Sequence, residues 1–193
     1  MLRYKIETEK NMLKETINGQ RIILKRPNAD IKTAEEVFSS IDRCRDIFLP
    51  WLGWVKYTNS VNDSLDFLNN VDKDWNDNKQ FVYAIYLDSV FIGLISILNI
   101  AQQHKRAEIG YWLDTKYTGK GYMQEAVSLV ETELFNNNFN RLVIHTDVLN
   151  IKSANVARKM GYIHEGILRQ EIYSEPNNRY RDINVFSKLK SDR

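Results

Sequence analysis

The apolar positions of the chain repeat with two periods, and these predict where strands and helices alternate. Alternating or β-branched apolar runs predict seven strands, and apolar residues three and four apart predict four helices. The strands are expected at about 21–26, 81–87, 90–99, 107–114, 141–148, 162–173 and 179–189; the helices at about 30–42, 59–76, over 18 residues around 123–134, and at 153–159. Helices and strands interleave, which predicts an α+β (mixed α/β) fold with helices on the faces of a mixed sheet.

Short connections between these elements carry turn residues. Asp88 and Ser89 separate two β-rich runs by two residues, the length of a tight hairpin loop, although neither is glycine. Gly161 follows the last helix at the position where a left-handed conformation commonly ends a helix. No internal repeat or flexible linker divides the chain. We therefore expect a single domain over 1–193, with a core at about 20–190 and short tails.

Composition removes several classes of protein. The 193 residues carry 27 Lys+Arg and 25 Asp+Glu, and they include 8 Phe, 4 Trp and 10 Tyr, which excludes intrinsic disorder and disfavours direct binding to nucleic acid. The single cysteine, Cys44, is expected to be a buried apolar residue. Residues 1–10 lack the apolar core of a signal peptide, and the longest apolar run, 90–100, is too short to span a membrane. We expect a cytoplasmic protein without a membrane segment.

The junction between the fourth strand and the third helix carries a pattern suited to an anion. Gly119 and Gly121 stand where the strand period changes to the helix period, so the backbone there can approach a ligand closely. The free amides of the first helical turn and the helix dipole then favour a phosphate or pyrophosphate. The residues required for a P-loop and for a dinucleotide-binding fingerprint are absent from this stretch, where Asp114, Gly121 and Gln124 occupy the decisive positions.

Four blocks of sequence in fixed order resemble the GNAT acetyltransferases, and within them the RimJ/RimL branch that acetylates N-terminal amines of ribosomal proteins. The blocks are EIGYWLD from Glu108, YTGKGYMQEA from Tyr117, NRL from Asn140, and the segment Asn150–Arg169. The resemblance covers about 20–190. It implies the GNAT fold, with a mostly antiparallel central sheet of about six to seven strands flanked by about four helices.

The same resemblance implies that acetyl-CoA is the co-substrate and that no metal is used. Lys116 stands where the family usually has Gln or Arg, which retains the charge but loses the forked set of donors. The pantetheine arm is expected between strands near Leu113 and Val148. The residues expected to bind acetyl-CoA are Leu113, Tyr117, Thr118, Gly119, Lys120, Gly121, Tyr122, Met123, Asn150 and Ser153.

The expected reaction transfers the acetyl group directly to a neutral amine, which requires a base, an oxyanion donor and an acid for the thiolate. Glu108 matches the family's base; the alternative is a solvated carboxylate paired with Lys105 or Arg106. Ser153 is the candidate acid, and its alternative is a capping or core-facing hydroxyl. Tyr122 or Tyr162 would be substitutes for it.

Aromatic residues are expected on the acceptor side. Trp51, Trp54 and Tyr111 are the candidate substrate-binding residues, although core packing is an alternative for both tryptophans. The three histidines, His104, His145 and His164, show no metal-ligand spacing, and His145 is interpreted as structural.

The acceptor and the assembly stay open. The leading hypothesis is a protein N-terminal α-amine, as in ribosomal proteins, and the alternatives are a polyamine, an aminoglycoside or another small amine. Five aspartates between 63 and 77 hint at a polyamine, although most suit the wet face of a helix. A non-catalytic acyl-CoA-binding module is a third reading. A homodimer is an assembly the resemblance allows.

Overall fold

The computed structural model describes residues 12–192, and one eight-stranded sheet organises them. Its strands lie in the order β1-β2-β3-β4-β5-β6-β8-β7. The strands are β1 (Thr16–Asn18), β2 (Ile22–Lys25), β3 (Phe81–Leu87), β4 (Val90–Ala101), β5 (Arg106–Leu113), β6 (Arg141–Asp147), β7 (Ile163–Ser174) and β8 (Arg179–Leu189). The helices are α1 (Ile31–Arg43), α2 (Arg45–Phe48), α3 (Val61–Asn76), α4 (Tyr122–Asn136) and α5 (Ile151–Lys159). Residues 1–10, which lack the apolar core of a signal peptide, lie outside the described residues.

The structure confirms the seven predicted strands and four predicted helices and adds two elements. Strand β1 is three residues long and helix α2 is four, so neither is long enough to show a period in the sequence. The predicted hairpin between β3 and β4 is confirmed: Asp88 and Ser89 adopt φ of 47° and 68°, the left-handed conformations of a tight two-residue loop. Gly161 is also left-handed, at φ 78°.

The sheet contains a single parallel pair among the described strands, and that pair is short. Every other neighbouring pair of strands is antiparallel. Strands β5 and β6 are paired only from Arg106–Arg141 to Glu108–Val143. Both strands continue beyond that point, β5 to Leu113 and β6 to Asp147, without further pairing. A gap therefore opens in the middle of the sheet.

The helices cover opposite faces of the sheet. Helix α1 packs on α3, α2 and β4, whereas α4 packs on α5, β2 and β5. The buried apolar face of α4 follows the predicted stripe of Met123, Ala126, Val127, Val130 and Leu134. On the other face, the indole nitrogen of Trp75 in α3 donates to the carbonyl of Val82 in β3 at 3.0 Å. Within 12–192, no helix is both long and apolar enough to span a bilayer.

Candidate active site

A cavity of about 420 Å³ opens beside the end of β5 that is not paired with β6. From the α1–α3 side it is lined by Phe48, Trp51 and Trp112, the last of which lies 5.3 Å from the Phe48 ring. From the α4–α5 side it is lined by Tyr111, Met123 and Ser153. Because neighbouring strand residues point to opposite faces, Tyr111 and Trp112 contribute to the two sides in turn. The cavity is therefore open to both faces of the sheet.

The loop at one end of the cavity has the geometry of an anion site. Gly119 and Gly121 adopt φ of 78° and 83°, a conformation that costs other residues roughly 1–2 kcal/mol each. A Cβ at Gly119 would meet no atom within 4 Å, so the backbone lies open. Gly121 is the N-cap of α4 and brings no side-chain cap, and the first helical amides have no carbonyl partner within the helix. These amides are available to a phosphate.

Two lysines add positive charge along the same cavity. Lys152 and Lys159 lie seven residues apart at exposed positions of α5, and both line the cavity wall. The predicted Lys116 does not line it, although its neighbours Thr115 and Tyr117 do. The cavity-lining residues include no aspartate or glutamate among those described. The electrostatic character of the cavity therefore suits an anion.

A buried carboxylate fixes the start of this loop. Asp114 follows β5, is fully buried, and accepts from Arg43 Nε at 3.1 Å, from Ser40 Oγ at 3.1 Å and from the backbone amide of Lys116 at 3.0 Å. Burial acts to raise the pKa of Asp114, but the bonds from Arg43 and Lys116 outweigh it and lower the pKa. Cys44, buried as predicted, contacts the same carboxylate at 3.7 Å. Asp114 thus joins the loop to α1.

Arg21 holds the loop from the other side. Its Nε donates to Glu125 Oε2 at 2.8 Å and its Nη1 donates to the Lys120 carbonyl at 2.9 Å. Its guanidinium also lies 4.8 Å from the centre of the Tyr122 ring. The sequence did not single out Arg21 or Glu125, because they are 104 residues apart and meet only in the folded chain. The loop is therefore held between β2 and α1.

Asn150 and Ser153 form the wall of the cavity at the start of α5. Asn150 is the N-cap, and its Oδ1 accepts from the Ser153 amide at 3.1 Å. The Ser153 hydroxyl does not cap the helix: its Oγ lies 3.3 Å from the Tyr111 hydroxyl, which donates to the Ser153 carbonyl at 3.2 Å. Burial raises the pKa of Tyr111 to about 12, so this hydroxyl stays protonated. Two protonated hydroxyls thus face the cavity together.

The predicted substitutes for Ser153 differ in position. Tyr122 lines the cavity. Tyr162 does not; it is buried beside Glu131 and Lys188, and burial raises the pKa of its hydroxyl strongly. The buried Tyr162 hydroxyl opens onto neither the cavity nor solvent. The geometry therefore favours Ser153 over Tyr162.

The loop from 49 to 58 covers the opposite side, where an acceptor would enter. Trp51 lines the cavity, whereas Trp54 is 42% exposed and does not line it. Arg181 in β8 holds this loop by donating to the Trp51 carbonyl at 3.0 Å and, through Nε, to the buried Asp147 at 2.7 Å. Glu175 also holds this loop, because it accepts a hydrogen bond from the Tyr57 hydroxyl at 3.0 Å and forms an ion pair with Lys56.

Glu108 lies at the apex of the gap, on the face that carries Trp112. Its Oε2 accepts from Asn99 Nδ2 at 2.8 Å and lies 3.1 Å from His145 Nδ1. Burial acts to raise the pKa of Glu108, but His145 and Asn99 outweigh it and lower the pKa. The ion pair with Glu108 raises the pKa of His145, against its own burial. The partners predicted for a merely solvated Glu108, Lys105 and Arg106, are not the ones it has.

Most of the predicted set meets at this one cavity. The predicted residues that line it are Trp51, Tyr111, Leu113, Tyr117, Thr118, Gly119, Gly121, Tyr122, Met123, Asn150 and Ser153. Glu108, Trp54 and Lys120 do not line it. Lining residues that were not predicted as site residues include Ile47, Phe48, Leu52, Trp112, Thr115, Lys152, Asn155, Val156 and Lys159. No group of three or more His, Cys, Asp or Glu suited to a metal is found in the described range.

Comparison with known proteins agrees with this geometry. The acetyltransferase (GNAT) domain family matches residues 21–163. The ribosomal-protein-serine acetyltransferase of Escherichia coli (strain K12) is 34% identical over 109 residues, 56% of this chain and 60% of that protein. The spermidine N(1)-acetyltransferase of the same strain is 30% identical over 112 residues, 58% of this chain and 59% of that protein. The chain thus spans about three fifths of these two relatives.

A solved structure gives the same picture across nearly the whole chain. The crystal structure of the microcin C7 self immunity acetyltransferase MccE, in complex with acetyl-CoA and AMP, superposes with a TM-score of 0.83 at 29% identity. It covers 88% of this chain and 93% of that chain.

Proposed function

The chain belongs to the GNAT acetyltransferase family, and on that premise we propose that it transfers an acetyl group from acetyl-CoA to the α-amine of a protein N-terminus. The observation that carries the proposal is the cavity itself. It joins an anion-binding loop on one face of the sheet to an aromatic entrance on the other face, through the gap between β5 and β6. Donor and acceptor would approach each other from the two faces.

The donor fits the half of the cavity beside α4 and α5. The diphosphate would be bound by the amides that follow Gly121, with Lys152 and Lys159 beside it. The pantetheine arm would lie in the gap, where β5 is no longer paired with β6 past Glu108. Its amides can hydrogen-bond with the unpaired backbone groups of β5 there. Asn150 is within reach of the arm because it lines the same wall.

Of the catalytic groups we propose, Ser153 lies on this path, and the pair of Glu108 and His145 lies beside it, where β5 and β6 separate. Ser153, hydrogen-bonded to Tyr111, would give a proton to the sulfur as the thioester breaks, and a backbone amide near Leu113 would stabilise the oxyanion. The base function is proposed for the pair of Glu108 and His145 at the apex of the gap. An α-amine, with a pKa of about 8, loses its proton far more readily than a lysine side chain at about 10.4.

The lining of the cavity favours an α-amine over a polyamine. A polyamine carries additional ammonium groups, and these need carboxylates, but the described lining contains none. Three of the five aspartates that hinted at a polyamine are engaged at α3 or just after it: Asp63 closes the capping box, Asp72 pairs with Arg26, and Asp77 pairs with Lys79. The ribosomal-protein acetyltransferase relative supports the same choice, and the spermidine acetyltransferase relative keeps the polyamine as the alternative.

An acceptor screen tests this proposal. Acetyl-CoA would be incubated with peptides bearing a free N-terminus, the same peptides with a blocked N-terminus, spermidine, and an aminoglycoside, and thiol release would be followed. We expect turnover with free peptides and none with blocked ones. Turnover with spermidine alone would overturn the choice of acceptor. Tight binding of acetyl-CoA without turnover on any amine would instead indicate an acyl-CoA-binding module.

A further inference from the structure

His145 occupies a position that the expected family machinery does not use. It lies on β6 one residue beyond Ile144, on the same face of the sheet as Val143, which pairs with Glu108. Glu108 in turn shares its face with Trp112, four residues later on β5. The imidazole therefore stands where β5 and β6 begin to separate, on the acceptor side of the gap. Its side chain is 33% exposed.

The two ring nitrogens of His145 are unequal. Nδ1 lies 3.1 Å from Glu108 Oε2, so it must carry the proton in the neutral imidazole. No hydrogen bond joins Nε2 to any residue in the described part of the chain. The Nε2 lone pair is thus left free to accept a proton. Asn99, which donates to the same carboxylate oxygen, fixes Glu108 from the β4 side.

Building on the proposed function, we propose that Nε2 of His145 is the general base that takes the proton from the acceptor amine through a water, since neither His145 nor Glu108 lines the cavity. Glu108 is then a positioning residue: it sets the tautomer of the ring and stabilises the imidazolium that forms. This is the division of labour between carboxylate and imidazole in known catalytic dyads. The proposal assigns a catalytic role to His145, which the sequence analysis interprets as structural.

The protonation properties of the pair are consistent with this assignment. A base works best when its pKa lies near the operating pH, and a carboxylate with a lowered pKa is poorly matched to an ammonium. The imidazole, with its pKa raised above the ordinary 6.5, is the better match. The other charged groups that act on His145 are Glu171 from β7, which also raises its pKa, and Arg141 from β6, which lowers it.

The proposed acetyl transfer conserves atoms and charge. The substrate ammonium gives one proton to His145, and its nitrogen forms a C–N bond with the thioester carbonyl carbon. As the C–S bond breaks, the sulfur takes a proton supplied by Ser153, and the nitrogen loses its second proton to restore the hydroxyl. His145 returns its proton to solvent. One ammonium and one thioester become one amide, one thiol and one released proton.

The test compares His145→Gln with Glu108→Gln and with a matched control, His104→Gln, on the exposed turn between β4 and β5. The probe is the peptide with a free N-terminus, and kcat is measured across pH with acetyl-CoA affinity in parallel. His145→Gln is expected to lower kcat by about 100-fold or more and to remove the acidic limb of its pH profile, with acetyl-CoA affinity unchanged. His104→Gln should behave as wild type.

Glu108→Gln separates the two candidate bases. If His145 is the base, losing the carboxylate lowers the imidazole pKa, so the acidic limb moves to lower pH but remains. An acidic limb that survives in His145→Gln and disappears in Glu108→Gln would overturn the proposal and make Glu108 the base. Wild-type kcat in His145→Gln would overturn it as well. A wild-type protein that turns over no amine would instead refute the proposed function, a failure visible before any variant is compared.

Discussion

The two left-handed glycines of the proposed anion-binding loop allow a quantitative test, because they share a backbone conformation and differ in their surroundings. Replacing either with alanine imposes the cost of a left-handed non-glycine residue, roughly 1–2 kcal/mol. A Cβ at Gly119 meets nothing within 4 Å, whereas one at Gly121 lies 3.3 Å from Arg21 Nη2. We therefore expect Gly121→Ala to be the more damaging change.

The additional cost at Gly121 comes from Arg21. To make room, the guanidinium must move by a few tenths of an ångström. This movement weakens its bond to the Lys120 carbonyl, now 2.9 Å long, and adds at most about 0.5–1.5 kcal/mol. Gly119→Ala should thus weaken acetyl-CoA binding by about 5- to 30-fold if the free loop relaxes, and Gly121→Ala by several-fold more. If the free loop cannot relax, the same cost appears as lower stability.

Calorimetric titration with acetyl-CoA, together with denaturant unfolding, measures both parts of this cost. An Arg21→Gln background supplies the control, since it should remove the difference between the two alanine variants. Equal losses in the two variants, or a difference that persists without Arg21, would refute the explanation by contact with Arg21. Unchanged affinity and stability in both variants would refute the role of the loop conformation itself.

Two further predictions concern residues beside the loop. Ser153→Ala should lower kcat about 100-fold without changing acetyl-CoA affinity, because the proton donor is lost while the other contacts to acetyl-CoA remain. Ser128→Ala, at an exposed position of α4, is the matched control. An unchanged kcat in Ser153→Ala would remove Ser153 from the mechanism. Asp114→Asn should lower the free energy of unfolding by about 1–3 kcal/mol at neutral pH. Because the folded-state pKa of Asp114 is lowered, its contribution is present above the unfolded value of about 3.9 and is lost as the pH falls through the folded value. Unfolding measured against pH should therefore show a weaker acid dependence in the variant, and an unchanged dependence would contradict this reading.

Local sequence patterns were sufficient to predict the helices, the strands and the position of the Gly119–Gly121 loop. The apolar stripe of α4 and the left-handed Gly161 are readable within a few residues, and both are confirmed. The change of period from strand to helix at Gly119–Gly121 predicts an anion site there. These features depend on backbone conformation and burial, which neighbouring residues largely determine.

Contacts between residues far apart in the chain could not be predicted from the sequence pattern. Glu108 meets His145 only because β6 returns parallel to β5 in one particular register, and a shift of one residue would turn the imidazole to the other face. Trp51 and Trp54 show the same difficulty, since the 3₁₀-helix from Gly53 to Tyr57 decides which indole reaches the cavity. The pairing of Arg21 with Glu125 cannot be predicted from the sequence pattern either, because the two residues meet only in the folded chain.

The short seam between β5 and β6 has a mechanical consequence. Five strands lie on one side of it and three on the other, and within the sheet the two groups meet over three residue pairs alone. At the far end, Arg181 and Glu175 bind the loop from 49 to 58 back to the smaller group. A small rotation about the seam would change the width of the opening most at that far end. The bonds of Arg181 and Glu175 therefore limit how wide a molecule the acceptor side can admit.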